Sequence, residues 1–136
     1  MATNQDLISA YNKTKFHVFI PSIIIEIGKR NEDLDTLIKK EGQTEWAYLT
    51  AYNPFSKELI DKENLKRQSQ LLSKISDYKF YEGEGVGEDP TWKPERSILI
   101  VGITKNEAIS LGREFEQNAI VYGKIYEVPE LIVLKN

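Results

Sequence analysis

Segments with the two-residue period of β-strands come in pairs at two places in the chain, and this order restricts the folds open to it. Residues 16–27 alternate β-branched and aromatic side chains on either side of Pro21, and residues 119–122 and 131–134 form a second pair. A parallel sheet would instead require strands that alternate strictly with helices. The sequence therefore predicts an α+β fold, with a single mixed, mainly antiparallel sheet and helices packed on it.

Further strands and four helices complete the prediction. Strands are expected over residues 45–52, 78–82 and 97–103, and the first of these is expected to be covered on both faces. Helices are expected over residues 4–12 and 31–41, within residues 56–76, and after a capping box at Thr104–Glu107. In the third helix, Leu65, Leu72 and Ile75 lie close to one line and predict the buried face.

Length and charge limit the classes of protein. The 136 residues contain no repeat and no long linker, which predicts one domain spanning residues 1–136. The net charge of −3 disfavours general nucleic-acid binding and docking on anionic membranes. The chain has neither a secretory signal nor an apolar run of the ~20 residues that a membrane-spanning helix needs. A cytoplasmic protein is therefore expected.

The residue types present exclude several kinds of chemistry. The chain has no cysteine, which removes thiolate nucleophiles and cysteine-based metal sites. Its one histidine, His17, lies in a predicted strand without a nucleophile motif and is interpreted as a structural or surface residue. No metal ligands are assigned. Any metal would have to be a hard cation held by carboxylates, that is magnesium, calcium or manganese, and magnesium is the cofactor considered for catalysis.

A glycine-rich acidic segment, residues 83–96, has two interpretations. Its glycines suggest a phosphate cradle, but four acids accompany them and proline follows in place of a helix. A flexible acidic loop is the favoured interpretation. Binding of a hard cation is the alternative.

Seven polar or aromatic residues lie where a purely structural sequence would not require them. Several are at strand ends or helix ends, which are common locations for ligand sites, and two share a face of the third helix. The predicted ligand-binding residues are Asn53, Asn64, Arg67, Trp92, Gln117 and Asn118, and Glu95 is the predicted catalytic residue. Each also has a structural interpretation. Asn53 could form an Asx turn, Asn118 could cap a helix end, and Arg67 could pair with Glu63.

The same residues carry a family resemblance. The motifs are Tyr48–Pro54, Glu63–Arg67, Trp92, Glu95–Ser97, Gly102 and Phe115–Ala119. Together they resemble a bacterial family of small uncharacterised proteins, the domain of unknown function numbered 3293. The resemblance covers residues 46–134 and is weaker over 1–44, and Tyr52 stands where the family has tryptophan. It implies that the seven residues form one constellation, and it names no substrate.

Two functions are compatible with these residues. The first is binding of a small ligand, nucleotide-like or otherwise anionic, with Arg67 as an anion clamp, Trp92 as a stacking face and Glu95 as an acid or base. The second is a non-catalytic protein–protein interaction or regulatory module that uses exposed tyrosines, since aromatic side chains are enriched at interfaces. The chain has seven tyrosines, of which Tyr48, Tyr52, Tyr78 and Tyr81 flank the third predicted helix. Catalysis and oligomeric state are left open.

Overall fold

Seven strands form one curled, antiparallel sheet in the computed structural model, which describes residues 4–134. The elements are α1 (Asn4–Asn12), β1 (Lys15–Val18), β2 (Ile23–Ile25), α2 (Glu32–Lys40), β3 (Glu45–Leu49), a 3₁₀ turn (Pro54–Ser56), α3 (Asp61–Lys74), β4 (Lys79–Val86), β5 (Glu95–Val101), α4 (Lys105–Glu114), β6 (Ala119–Lys124) and β7 (Glu130–Val133). The strand order is β2-β1-β4-β5-β3-β6-β7, and neighbouring strands run antiparallel. The predicted α+β class is confirmed.

The two faces of the sheet bury separate apolar clusters, because side chains alternate along each strand. In β3, Ala47 and Leu49 pack with residues of α3 and α4, whereas Trp46 and Tyr48 pack with residues of α2. Residues 46–49 are all buried, so this strand is covered on both sides as predicted.

The sheet curls enough to bring its two ends together. The backbone N–H of Gly28, which follows edge strand β2, donates to the carbonyl of Pro129, which precedes edge strand β7, at 2.9 Å. Helix α1 contacts β7, yet no residue of α1 is fully buried. It therefore lies against the sheet as a loosely packed cover.

Several predicted boundaries are wrong. Strands β1 and β2 end at Val18 and Ile25, because residues 19–22 form a turn between them. Strand β3 ends at Leu49 and not at residue 52, whereas α3 lies within the predicted range of residues 56–76. The 51–60 segment between them is an irregular connection that contributes to the site described below.

The glycine-rich segment is only partly a loop. Strand β4 continues to Val86 and pairs with β1 and β5, so the prediction of a flexible loop from Gly83 is wrong for residues 83–86. A Cβ atom on Gly83 would lie 1.8 Å from the backbone oxygen of His17. Glycine is therefore required here by close approach of two strands, and not by a phosphate.

The buried face of α3 also differs from the prediction. Leu65 is 54% exposed, whereas Asn64, Gln68, Leu71 and Ile75 are buried at helical spacing. The first half of α3 thus turns a polar face inward. The predicted caps are confirmed, because Asn31 accepts a hydrogen bond from the N–H of Leu34 and the capping box at Thr104–Glu107 is formed in both directions. None of the helices in residues 4–134 has the length and apolar character needed to cross a membrane.

Candidate functional site

The chain leaves β3 through a strained turn, residues 51–56, which we name the Asn53 turn. Asn53, Phe55 and Ser56 have positive φ angles of 49°, 51° and 62°. Residues that carry a Cβ atom enter this left-handed region at a cost of about 1–2 kcal/mol each. Such a turn persists only when the surrounding structure holds it in place.

Helix α3 holds the turn from one side through the polar face noted above. Gln68 accepts a hydrogen bond from the N–H of Ala51 through Oε1 (3.0 Å). Arg67 donates from Nε to the carbonyl of Ala51 (2.7 Å). Asn64 accepts from the N–H of Asn53 at 2.9 Å. These side chains hydrogen-bond to backbone groups that would otherwise pair with a neighbouring strand. This competition explains why β3 ends early.

The junction between α4 and β6 holds the turn from the other side. Gln117 donates from Nε2 to the carbonyl of Tyr52 (3.0 Å), and Asn118 donates from Nδ2 to Ser56 Oγ (2.6 Å). The N–H of Phe55 donates to the carbonyl of Glu116 at 2.7 Å. The order of the Asn53 turn therefore depends on contacts that are distant in sequence.

Arg67 joins the two sides. Its Nη2 donates to the carbonyl of Phe115 at 2.6 Å, and its Nη1 lies 3.4 Å from a carboxylate oxygen of Glu116. The guanidinium thus binds two backbone carbonyls and forms a salt bridge with Glu116. The alternative considered from the sequence, a salt bridge between Arg67 and Glu63, is not formed. These contacts place Arg67 in the framework of the turn.

The Asn53 turn also fixes the side chain of Glu95, the first residue of β5. Asn53 donates from Nδ2 to Glu95 Oε2 at 2.8 Å, and the indole Nε1 of Trp92 donates to the same oxygen at 3.0 Å. Burial raises the pKa of Glu95, and the two hydrogen bonds oppose that rise in part. The carboxyl group of Glu95 is therefore held in one orientation through hydrogen bonds to Oε2 alone.

Glu95 faces a cavity of about 550 Å³ between α1 and the sheet. Its lining includes Leu7, Ala10 and Tyr11 of α1, Phe16 of β1, Tyr48 of β3, Gly85 of β4, Val121 of β6, and Ser56, Trp92, Ser97 and Gln117. Burial raises the pKa of the Tyr11 and Tyr48 hydroxyls, and the carboxylate of Glu95 adds to the rise at Tyr11. Both phenols are therefore neutral at ordinary pH, and the walls are mostly apolar and aromatic.

The predicted site residues divide into two groups. Trp92, Glu95 and Gln117 line the cavity. The other four, Asn53, Asn64, Arg67 and Asn118, lie behind its wall and are joined to it by the hydrogen bonds given above. One network thus connects all seven, and the ligand-binding and catalytic roles stay predictions.

Sequence reasoning missed Gln68, Ser56 and Tyr11. Gln68 could have been found from its position four residues after Asn64, which places the two amides on one face of the helix. Tyr11 lies four residues after Leu7 and so shares its helical face, but the contact of Tyr11 with the cavity depends on how the sheet curls. Ser56 carries no sequence signal of its own.

The acidic residues of the glycine-rich segment do not assemble a metal site. Within residues 4–134, no group of three or more His, Asp or Glu side chains is arranged to hold a metal ion. Glu82 lies in β4 and pairs with Arg96 at 3.2 Å. Asp89 accepts two hydrogen bonds from Thr91 in the turn that leads to Trp92, and these bonds lower its pKa.

Comparison with known proteins places the chain in a family. The model of a family described as "Protein of unknown function (DUF3293)" matches residues 49–120, more than half of the chain. The chain belongs to this family. The DUF3293 match includes the Asn53 turn, α3, Glu95 and the Gln117–Asn118 junction, whereas α1 lies outside it. No curated protein and no solved structure matches the chain.

Proposed function

We propose that this member of the DUF3293 family binds a small organic ligand in the cavity between α1 and the sheet. The observation that carries the proposal is the half-buried carboxyl group of Glu95 at the cavity wall, held through one oxygen by Asn53 and Trp92. An apolar cavity with a few fixed polar groups and a perturbed pKa is the usual form of a binding site.

The strain in the Asn53 turn supports the same proposal. Residues with unfavourable backbone angles cluster at functional sites, where the residues that contact the ligand must be held rigidly. Here the strained turn presents Asn53 to Glu95, and two sequence-distant elements keep that turn in place.

The earlier expectation of an anionic ligand has weaker support than ligand binding itself. Arg67, the proposed anion clamp, binds the carbonyls of Ala51 and Phe115 and is not part of the cavity lining. If the ligand is turned over, Glu95 offers proton transfer as acid or base, a role that suits a carboxyl group with a raised pKa. A cytoplasmic location and a bacterial source stay predictions from the sequence.

The alternative, a protein–protein interaction module, was based on exposed tyrosines. Tyr48 is buried, and Tyr52, Tyr78 and Tyr81 are half-buried. The tyrosines therefore give this alternative less support than the cavity gives to ligand binding.

A cavity-filling variant tests the proposal. A Cβ atom on Gly85 would point towards Phe16, Ser97 and Thr14 at 3.9–4.0 Å, so Gly85→Leu would place its side chain in the cavity without a close clash at Cβ. Ser69→Leu, on the exposed face of α3, is the matched control.

Wild type and both variants would be screened by thermal shift against neutral, cationic and anionic metabolites. We expect compounds that raise the Tm of wild type and of Ser69→Leu but not that of Gly85→Leu. Equal shifts in all three proteins, or no shift with any compound, would contradict binding in this cavity. The second result would favour the interaction module.

A further inference from the structure

The aromatic lining of the cavity suggests which ligands it accepts. Tyr11, Phe16, Tyr48 and Trp92 come from four different parts of the chain and all line it. Phe16 and Tyr48 pack edge to face, with ring centroids 5.4 Å apart. The face of an aromatic ring attracts a cation through its quadrupole, and the attraction grows where water is excluded.

Glu95 has unused hydrogen-bonding capacity beside these rings. Asn53 and Trp92 both donate to Oε2, and among the described residues no side chain donates to Oε1. An ionised carboxylate accepts several hydrogen bonds, and a charged N–H donor gives the strongest of them. The site is therefore prepared for a donor brought by the ligand.

Most of the other charges at the cavity have the same sign as Glu95. Glu88 and Asp89 also line it, and among residues 4–134 Lys13 is the one basic residue in the lining. The Nζ of Lys13 lies 3.9 Å from Glu88 Oε1, so its charge is already partly offset. An anionic ligand would meet a wall of excess negative charge, and a cation would meet favourable potential.

From these observations we infer that the ligand is an organic cation, an ammonium or guanidinium group on an apolar body, which pairs with Glu95 among the aromatic rings. This rests on the proposed function and specifies its ligand class. Because the carboxylate is desolvated in the free protein, a paired cation would compensate a charge that is otherwise poorly solvated.

Three probes of one size and different charge test the inference: phenethylamine, 2-phenylethanol and phenylacetate. Each would be titrated by calorimetry into wild type, Glu95→Gln and the control Glu63→Gln, an exposed residue of α3 outside the cavity lining, with choline as a second cation. We expect the amine to bind wild type at least about tenfold more tightly than the alcohol, as charge-assisted pairing allows, and phenylacetate to bind more weakly than either. The preference for the amine should disappear in Glu95→Gln and persist in Glu63→Gln.

Other outcomes separate this inference from the proposed function. If the alcohol or phenylacetate binds as tightly as the amine and Gly85→Leu abolishes that binding, the cation inference is overturned and the cavity stays a ligand site. If neither cation binds wild type, the inference is also overturned. The metabolite screen then decides independently whether the cavity binds anything.

Discussion

Asn53 and Asn64 bind each other through two hydrogen bonds, one from the backbone N–H of Asn53 to Asn64 Oδ1 (2.9 Å) and one from Asn64 Nδ2 to Asn53 Oδ1 (2.8 Å). Both residues are buried. Asn53 then uses its own Nδ2 to bind Glu95. This pair of amides is the direct connection between the polar face of α3 and the carboxyl group at the cavity.

Loss of the Asn64 amide should destabilise the fold. In Asn64→Ala, the N–H of Asn53 loses its acceptor inside the protein, and a buried unsatisfied group costs about 1–3 kcal/mol. We expect the free energy of unfolding, measured by urea denaturation, to fall by roughly 2–3 kcal/mol. Gln70→Ala, on the exposed face of the same helix, should change it by less than about 0.5 kcal/mol. Equal losses in the two variants would show that the amide pair is unimportant.

Two glycines of the acidic segment should respond differently to alanine. At Gly83 the new methyl group would overlap the backbone of His17, which cannot move without opening the β1–β4 pair. We expect Gly83→Ala to lower the free energy of unfolding by about 3 kcal/mol or more, since overpacking against backbone is poorly relieved.

Gly87→Ala is the matched control, because a Cβ atom there has no neighbour within 4 Å. A gain of about 0.5 kcal/mol is expected from the reduced entropy of the unfolded chain. Thermal or urea unfolding of the two variants measures both effects. A tolerated Gly83→Ala would mean that β1 and β4 are not packed as described.

Helix α1 should open more readily than the rest of the fold. None of its residues is fully buried, and Leu7 and Tyr11 are only half-buried where they line the cavity. Segments with few buried contacts open locally at low free energy. Hydrogen exchange followed by mass spectrometry should show faster exchange in α1 than in α2, α3 or α4, with protection gained when phenethylamine is added. Exchange in α1 as slow as in α4, with or without the amine, would exclude a cover that opens.

The parts of the fold that could be predicted from sequence are governed by local chemistry. The alternation of residues 16–25, 46–49 and 119–122 follows from the period of a strand, and the caps at Asn31 and Thr104 follow from side-chain bonds to nearby N–H groups. Antiparallel pairing followed from the order of the elements. None of these inferences needed a long-range contact.

Two of the wrong predictions depend on what lies opposite the residues in the fold. Leu65 was expected to face inward because it is apolar, but the first half of α3 faces the backbone of the Asn53 turn, which amides satisfy and leucine cannot. Gly83–Val86 reads as a loop by composition, and it is a strand because β1 and β5 flank it. Propensity was overridden by tertiary context in both cases.

The constellation of site residues was grouped by family resemblance, but its internal arrangement could not be derived. Gln117 reaches the carbonyl of Tyr52, 65 residues away, and Asn118 reaches Ser56, 62 residues away. Whether an amide faces a ligand or holds a turn is decided by such contacts. The sequence therefore grouped these residues in one constellation. It did not predict that Asn53 and Trp92 hold Glu95 while the other residues hold the Asn53 turn.

We infer that Glu95 is kept at the cavity for its charge and not for stability. Burial raises its pKa in the folded protein, so the folded protein binds more protons than the unfolded chain between the two pKa values. Stability contributed at this residue is therefore full below that window and is lost as pH rises through it. Tyr11 and Tyr52 also face Glu95, and their raised pKa values keep them neutral in this range.

Thermal unfolding of Glu95→Gln and wild type across pH 4–8 tests this claim most directly. Glutamine can still accept the hydrogen bonds of Asn53 and Trp92 through its amide oxygen, and it carries no charge to desolvate. We expect the variant to have a higher Tm than wild type near neutral pH, with a difference that shrinks on acidification, and Glu88→Gln to show no such change. A variant that is less stable than wild type at every pH would show that the Glu95 carboxylate is a structural anchor, and it would contradict the proposed site.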